Sequence, residues 1–205
     1  MEIKKKCLVL KPLAFFVIVV IMLTSGCLSF NSQNSSTDDI KVTMTNAAEK
    51  INSINWNTDH PGNIRAKLLG AETDFTNSFN LLSGIKPETG DESEEIYGLR
   101  AISCGYLEMI SAMMDLTNVI EHYNYADYYA SLYEQDNWVM EIRTADTALA
   151  SARNKLYSAK YRLDGINMNM VPLNLQGDLT EMKVRMGQLD KIMENLATEF
   201  SKALK

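Results

Sequence analysis

The sequence predicts an all-α protein: an antiparallel, up-and-down four-helix bundle whose first helix is broken near Pro61, giving five helical segments. Three observations predict it. Apolar residues recur at alternating spacings of three and four along five segments, which is the rhythm of one helix face. Gly and Pro, the residues that stop helices, fall between those segments. No segment reads as a run of strands, and the connections are short, so sequential helices should be antiparallel.

The first segment follows Thr37 or Asp38, either of which can cap a helix. Ile40, Met44, Ala47, Ile51 and Ile54 step along one face. Residues 57–62, NTDHPG, interrupt it, and Pro61 suits the first turn of a second helix, where its missing N–H is no loss. Ile64, Leu68, Ala71, Phe75, Phe79 and Leu82 give that helix its apolar face as far as about Ser83. Gly84 and Pro87 end it. The first two segments together match the third in length, so they read as one helix with a break.

Residues 88–95 read as an acidic loop. Asp91, Glu92, Glu94 and Glu95 lack the Asp/Asn and Gly spacing of a calcium loop. They suit the N-terminus of the next helix, whose dipole favours negative charge.

The third helix is expected to be the most buried. Leu99, Ile102, Tyr106, Met109, Met113, Leu116, Ile120 and Tyr123 form one seam; Leu107, Ile110 and Met114 begin a second beside it. Two adjoining seams mean more than one neighbour. Gly98, Gly105 and Ala112 recur every seven residues. Glycine inside a helix costs about 1 kcal/mol relative to alanine, so this stripe implies a neighbouring backbone passing close.

Trp138, Ile142, Ala145, Leu149, Ala152, Leu156, Ala159, Leu163 and Ile166 mark the fourth helix, which ends across residues 165–172. Leu175, Leu179, Met182, Met186, Leu189, Met193, Leu196, Phe200 and Ala203 mark the last. A seven-residue period sustained this long implies near-parallel axes.

The N-terminal residues have a different character. Lys4, Lys5, Lys6 and Lys11 precede eleven consecutive apolar residues, 13–23, and Thr24-Ser25-Gly26 lead to Cys27. Basic, then apolar, then small is the pattern of an export signal. The apolar run is short of the ~20 residues of a membrane-spanning helix. Gly26-Cys27 resembles the lipobox of prokaryotic membrane lipoproteins, with Leu23 four residues before the cysteine where the family usually has an aliphatic residue three before. The resemblance covers residues 1–28. It implies cleavage before Cys27, lipid on the Cys27 sulfur, and an anchor at the extracytoplasmic face of the membrane. The expected organisation is a signal at 1–26, a lipidated Cys27 with a Ser/Asn-rich tether to residue 37, and a bundle from 38 to 205.

Charge and cysteine content narrow the function. Beyond Gly26 the chain has 16 basic and 25 acidic residues, a net of −9. Such a surface repels nucleic acid and anionic lipid. With Cys7 in the signal and Cys27 lipidated, only Cys104 remains. It falls within a helical pattern and reads as a small core residue.

The two histidines, His60 and His122, do not form the paired Glu-x-x-His motifs of a carboxylate-bridged metal site. Haem attachment, phosphate-loop, nucleophile-elbow and zinc-protease motifs are all missing. Met168 and Met170 have a spacing that can bind Cu(I), but Met182, Met186 and Met193 beyond them sit on the core seam, where methionine fills gaps. The expectation is therefore no catalysis and no cofactor. The chain reads as a lipid-anchored interaction or scaffold module that binds another envelope protein. The alternative is an envelope protein binding a small molecule or soft metal inside the bundle, which the nearly all-apolar seams disfavour.

One cluster remains. Tyr125, Tyr128, Tyr129 and Tyr133 follow Tyr123 closely, with Trp138 just beyond. If the third helix kinks near Asn124, the tyrosines close one end of the bundle. If it runs on, Asp127, Ala130 and Glu134 continue the main seam and the tyrosines form an exposed patch. A partner-binding surface would then include Tyr125, Tyr128, Tyr129 and Tyr133.

Overall fold

The computed structural model describes residues 37–204 apart from Asn57. It contains α1 (Asp38–Asn52), α2 (Pro61–Gly84), α3 (Gly90–Ser131), α4 (Gln135–Asp164), a 3-10 turn (Met168–Met170) and α5 (Leu173–Ala203). The fold is an all-α helical bundle, with no strand among the described residues. Cys27, the signal expected at 1–26 and the expected tether lie outside the described residues.

Local chemistry sets the helix starts. His60 is extended and its Nδ1 accepts the Gly62 N–H at 3.1 Å, while Pro61 takes the first helical position. Thr89 Oγ1 accepts the Glu92 N–H at 3.1 Å, and the Glu92 carboxylate accepts the Glu88 N–H at 2.7 Å. These caps start α3 at Gly90, so most of the expected acidic loop is helix, its carboxylates facing the positive end of the dipole. Thr37 takes the N-cap position of α1 without capping it. Its hydroxyl instead donates to Glu95 Oε2 at 2.9 Å.

Cross-helix pairs fix the directions. Arg65 reaches Asn118 and Glu121, while Arg100 donates to the Leu82 carbonyl, so α2 and α3 are antiparallel. His122 meets Glu141 and Glu108 meets Arg162, which sets α4 antiparallel to α3. α5 returns parallel to α3, with Leu175 against Gly98 and Met182 against Gly105.

The chain breaks before Pro61 as the sequence predicts, but the break is a reversal and not a kink in one long helix. Lys50 pairs with Asp74 at 2.5 Å, and Lys67 donates to the Ser53 carbonyl at 2.8 Å. α1 therefore folds back along α2. The turn is held by Asp59, which accepts the Asn55 N–H and the Lys67 ammonium, and by burial of Ile54 and Trp56. Because α1 doubles back, nothing from it extends alongside the far end of α3.

The expected seams form the core. Every named position of α5 from Leu175 to Phe200 is buried, as are those of α4 from Trp138 to Leu163. Each fully buried large aliphatic side chain contributes roughly 1.5–3 kcal/mol. Several details differ from the sequence reading. On α3, Leu107 and Met114 of the second seam and Tyr123 of the first are only half-buried against the core. On α2 the inward position is Ser78, with Phe79 only half-buried, because the three–four alternation continues 75, 78, 82. The space above Gly98 and Gly105 is filled by side chains, Leu175 and Val171 over the first and Met182 and Leu163 over the second, and not by backbone.

Candidate functional site

α3 continues without a break through Tyr123 to Ser131, so the tyrosine region is a helix that runs on and not a cap folded over the bundle. At about 100° per residue, His122, Tyr125, Tyr128, Tyr129 and Leu132 share one side of it. Tyr125 is 49% exposed, Tyr128 58% and Tyr133 63%. Tyr129 differs: it is half-buried and packs on the core, making an edge contact with Tyr128 at 5.5 Å between ring centres. The seam side is also not wholly polar, since Ala126 is buried, as is Trp138 of α4. The patch foreseen in the sequence is thus three exposed tyrosines and Leu132, with Tyr129 as their support.

The turn into α4 closes the helix by a Schellman arrangement. Glu134 N–H donates to the Tyr129 carbonyl at 3.0 Å and Tyr133 N–H to the Ala130 carbonyl at 3.2 Å. This geometry needs a left-handed residue, usually glycine. Here it is Tyr133, with φ of 62°. An L-residue pays about 1–2 kcal/mol for that conformation.

Beside the tyrosines runs an open groove of about 960 Å³ between α3 and α4. Asp115, Asn118 and His122 form one wall; Gln135, Asp136, Met140, Arg143 and Ser151 are among those on the other. The His122 ring joins the groove to the patch, with Tyr125 edge-on at 6.4 Å. His122 Nδ1 lies 2.7 Å from Glu141 Oε2. A carboxylate only accepts, so Nδ1 carries the proton. Asp115 accepts from Ser151 at 2.6 Å and pairs with Lys155 at 2.7 Å.

The groove was missed in the sequence, since it depends on how two helices meet. One signal for it was legible. No Lys or Arg occurs from residue 101 to 142, while that stretch holds seven acidic residues. Other groups answer four of them: Arg162 for Glu108, Lys155 for Asp115, Arg65 for Glu121 and His122 for Glu141. Glu134 and Asp136, both exposed beside the turn, make no ion pair among the described residues.

The remaining candidates separate. Met182, Met186 and Met193 are core residues. Met168 is half-buried against the core and Met170 is 46% exposed, so the pair does not share one environment. No group of three or more His, Cys, Asp or Glu side chains among the described residues could hold a metal ion. Cys104 is only half-buried, contrary to the core position expected of it. It lines an apolar hollow of about 270 Å³ with Tyr97, Gly105, Leu163 and Ile166. Burial pushes its thiol up from the ordinary value, Glu108 adds to that, and Arg162 opposes it. The thiol is therefore a weak nucleophile. No helix among the described residues is long and apolar enough to cross a membrane. Compared with protein-family models, curated proteins and solved structures, the chain has no significant match.

Proposed function

We propose that this protein is a lipid-anchored, extracytoplasmic interaction module. In this reading Cys27 carries the lipid, the tether spans residues 28–37, and the α3–α4 tip engages another envelope protein. It is a binding protein and not an enzyme.

The observation that carries the reading is where the chain enters the bundle relative to the patch. Thr37 is hydrogen-bonded to Glu95, near the start of α3. Tyr128 lies 33 residues further along the same helix, about 50 Å at 1.5 Å per residue. An anchor before Thr37 would hold one end of α3 at the membrane and present the tyrosines at the other. Tyrosine is enriched at protein interfaces because a rigid ring gives large contact area and a polar tip. The strained backbone at Tyr133 adds support, since an unfavourable conformation kept at a surface position often marks function.

Two measurements test it. Mass analysis of the mature N-terminus should find lipid on Cys27, and Cys27→Ser should leave an unprocessed precursor. A photo-crosslinking side chain at position 128 should give a discrete adduct in cells, while one at exposed position 157 on α4 should not. An unlipidated N-terminus would remove the anchor. Equal crosslinking from both positions would remove the interaction surface.

A further inference from the structure

We infer that the partner contributes a basic, extended polypeptide segment, which lies in the α3–α4 groove with a cationic side chain against Tyr125 and Tyr128. The inference rests on the interaction-module reading and names the chemistry of its partner.

Charge complementarity selects this occupant. The hairpin lacks any Lys or Arg from residue 101 to 142, and the cations that neutralise Glu108, Asp115 and Glu121 come from α2 and the lower part of α4. The groove's own exposed cation, Arg143, lies about two helical turns beyond Asp136, which leaves the end beside the tyrosines as the negative one. That supply stops short of the turn, where Glu134 and Asp136 are exposed without an ion pair among the described residues. Asp136 lines the groove at the end nearest the tyrosines. Exposed tyrosine rings attract ammonium and guanidinium groups through their negative faces. Carboxylates next to such rings favour the same ions and repel acidic ones, so both features select for one sign of charge.

Shape points to a segment and not to a small ion. On α4 the groove runs from Gln135 to Ser151, about 24 Å of helix. An extended chain covers that length with about seven residues. The groove is open along its side and carries hydrogen-bonding groups at intervals, such as Asn118, Gln135 and Thr144. A peptide backbone can use such groups, whereas a small molecule would be left largely in water.

The experiment uses the full-length protein in an uncharged detergent. Three fluorescein-labelled decapeptides are titrated by anisotropy: an Arg-Gly repeat, a Gln-Gly repeat and a Glu-Gly repeat. The Arg-Gly peptide should bind, weaken as salt rises, and weaken about tenfold in Glu134→Gln/Asp136→Asn. Tyr125→Ser/Tyr128→Ser should weaken it likewise. The charge-matched control Glu49→Gln/Glu94→Gln, on exposed residues of other regions, should bind as the wild type does. Equal weakening in that control would reduce the effect to overall negative charge and overturn the inference. So would equal binding of the Gln-Gly peptide. If the Arg-Gly peptide fails to bind while the crosslink from position 128 persists in cells, the basic segment is wrong and the interaction module stands. Loss of both removes both.

Discussion

Lys41 Nζ lies 2.6 Å from Glu95 Oε1, and the lysine is only 5% exposed. Asp38, at 3.3 Å, and the Thr37–Glu95 hydrogen bond complete the group. The start of the bundle is thereby fixed to the start of α3, which sets the direction of the molecule relative to any anchor before residue 37. Removing one partner of a buried ion pair strands the other charge. Lys41→Met should therefore cost about 3 kcal/mol in denaturant unfolding, and Lys41→Met/Glu95→Gln should cost clearly less than the sum of the single changes. Additive single costs would show that the two groups do not depend on each other.

The glycines of α3 and α5 should respond in opposite ways to alanine. A Cβ at Gly105 would run into Met182 Sδ and come within 3.1 Å of Leu163 Cδ2. Overpacking of this kind typically costs about 1–3 kcal/mol, which outweighs the gain in helix propensity. Gly187 on α5 has open space at its Cβ position. Gly187→Ala should stabilise by roughly 1 kcal/mol. Thermal melts of the two variants check the contrast.

Tyr133 offers a test of backbone strain. Its φ of 62° is one that glycine adopts freely. Tyr133→Gly relieves that strain but adds freedom to the unfolded chain, so it should leave stability equal or raised by about 0.5 kcal/mol. Tyr133→Val, β-branched at the same φ, should lower it by at least about 1 kcal/mol. A loss in the glycine variant larger than in the valine variant would show that the tyrosine ring holds the turn.

The exposed and supporting tyrosines should separate in the same assay. Tyr125→Ser and Tyr128→Ser should each change stability by no more than about 0.5 kcal/mol. Tyr129→Ser removes a ring packed on the core and should cost about 2 kcal/mol. Tyr129 is therefore the wrong position at which to probe binding, although it belongs to the same cluster in the sequence.

Asp178 gives a pH dependence. Burial, with Glu181 adding to it, pushes its carboxyl up from 3.8 to about 6, and Oδ2 is buried without a hydrogen-bond partner among the described residues. The folded state then holds the proton more tightly than the unfolded state. Its contribution to stability is full below pH about 4 and is lost as the pH rises through about 6. Asp178→Asn keeps the shape without the charge. It should flatten the stability profile across that window and raise stability at pH 8, as followed by urea midpoints. An unchanged slope between the two would place the titration elsewhere.

The sequence by itself determined the helices. Period and stop signals located all five, because a helix face must repeat every three or four residues wherever it packs. It also determined that α3 carries two seams and that a tyrosine cluster follows Tyr123. Only the tertiary structure decided how the segments meet. Equal lengths made α1 and α2 look like two halves of one helix, yet Lys50 meets Asp74 and Lys67 meets Ser53, so α1 turns back. Periodicity reports which face is buried and carries no information about the angle at a break; that angle is set by contacts such as Asp59 with Lys67. The same reversal decided the fate of the tyrosines. With α1 folded along α2, it does not extend over the last turns of α3, and one side of those turns stays open. Tyr129 and Ala126 take the covered side, and Tyr125 and Tyr128 are left in water.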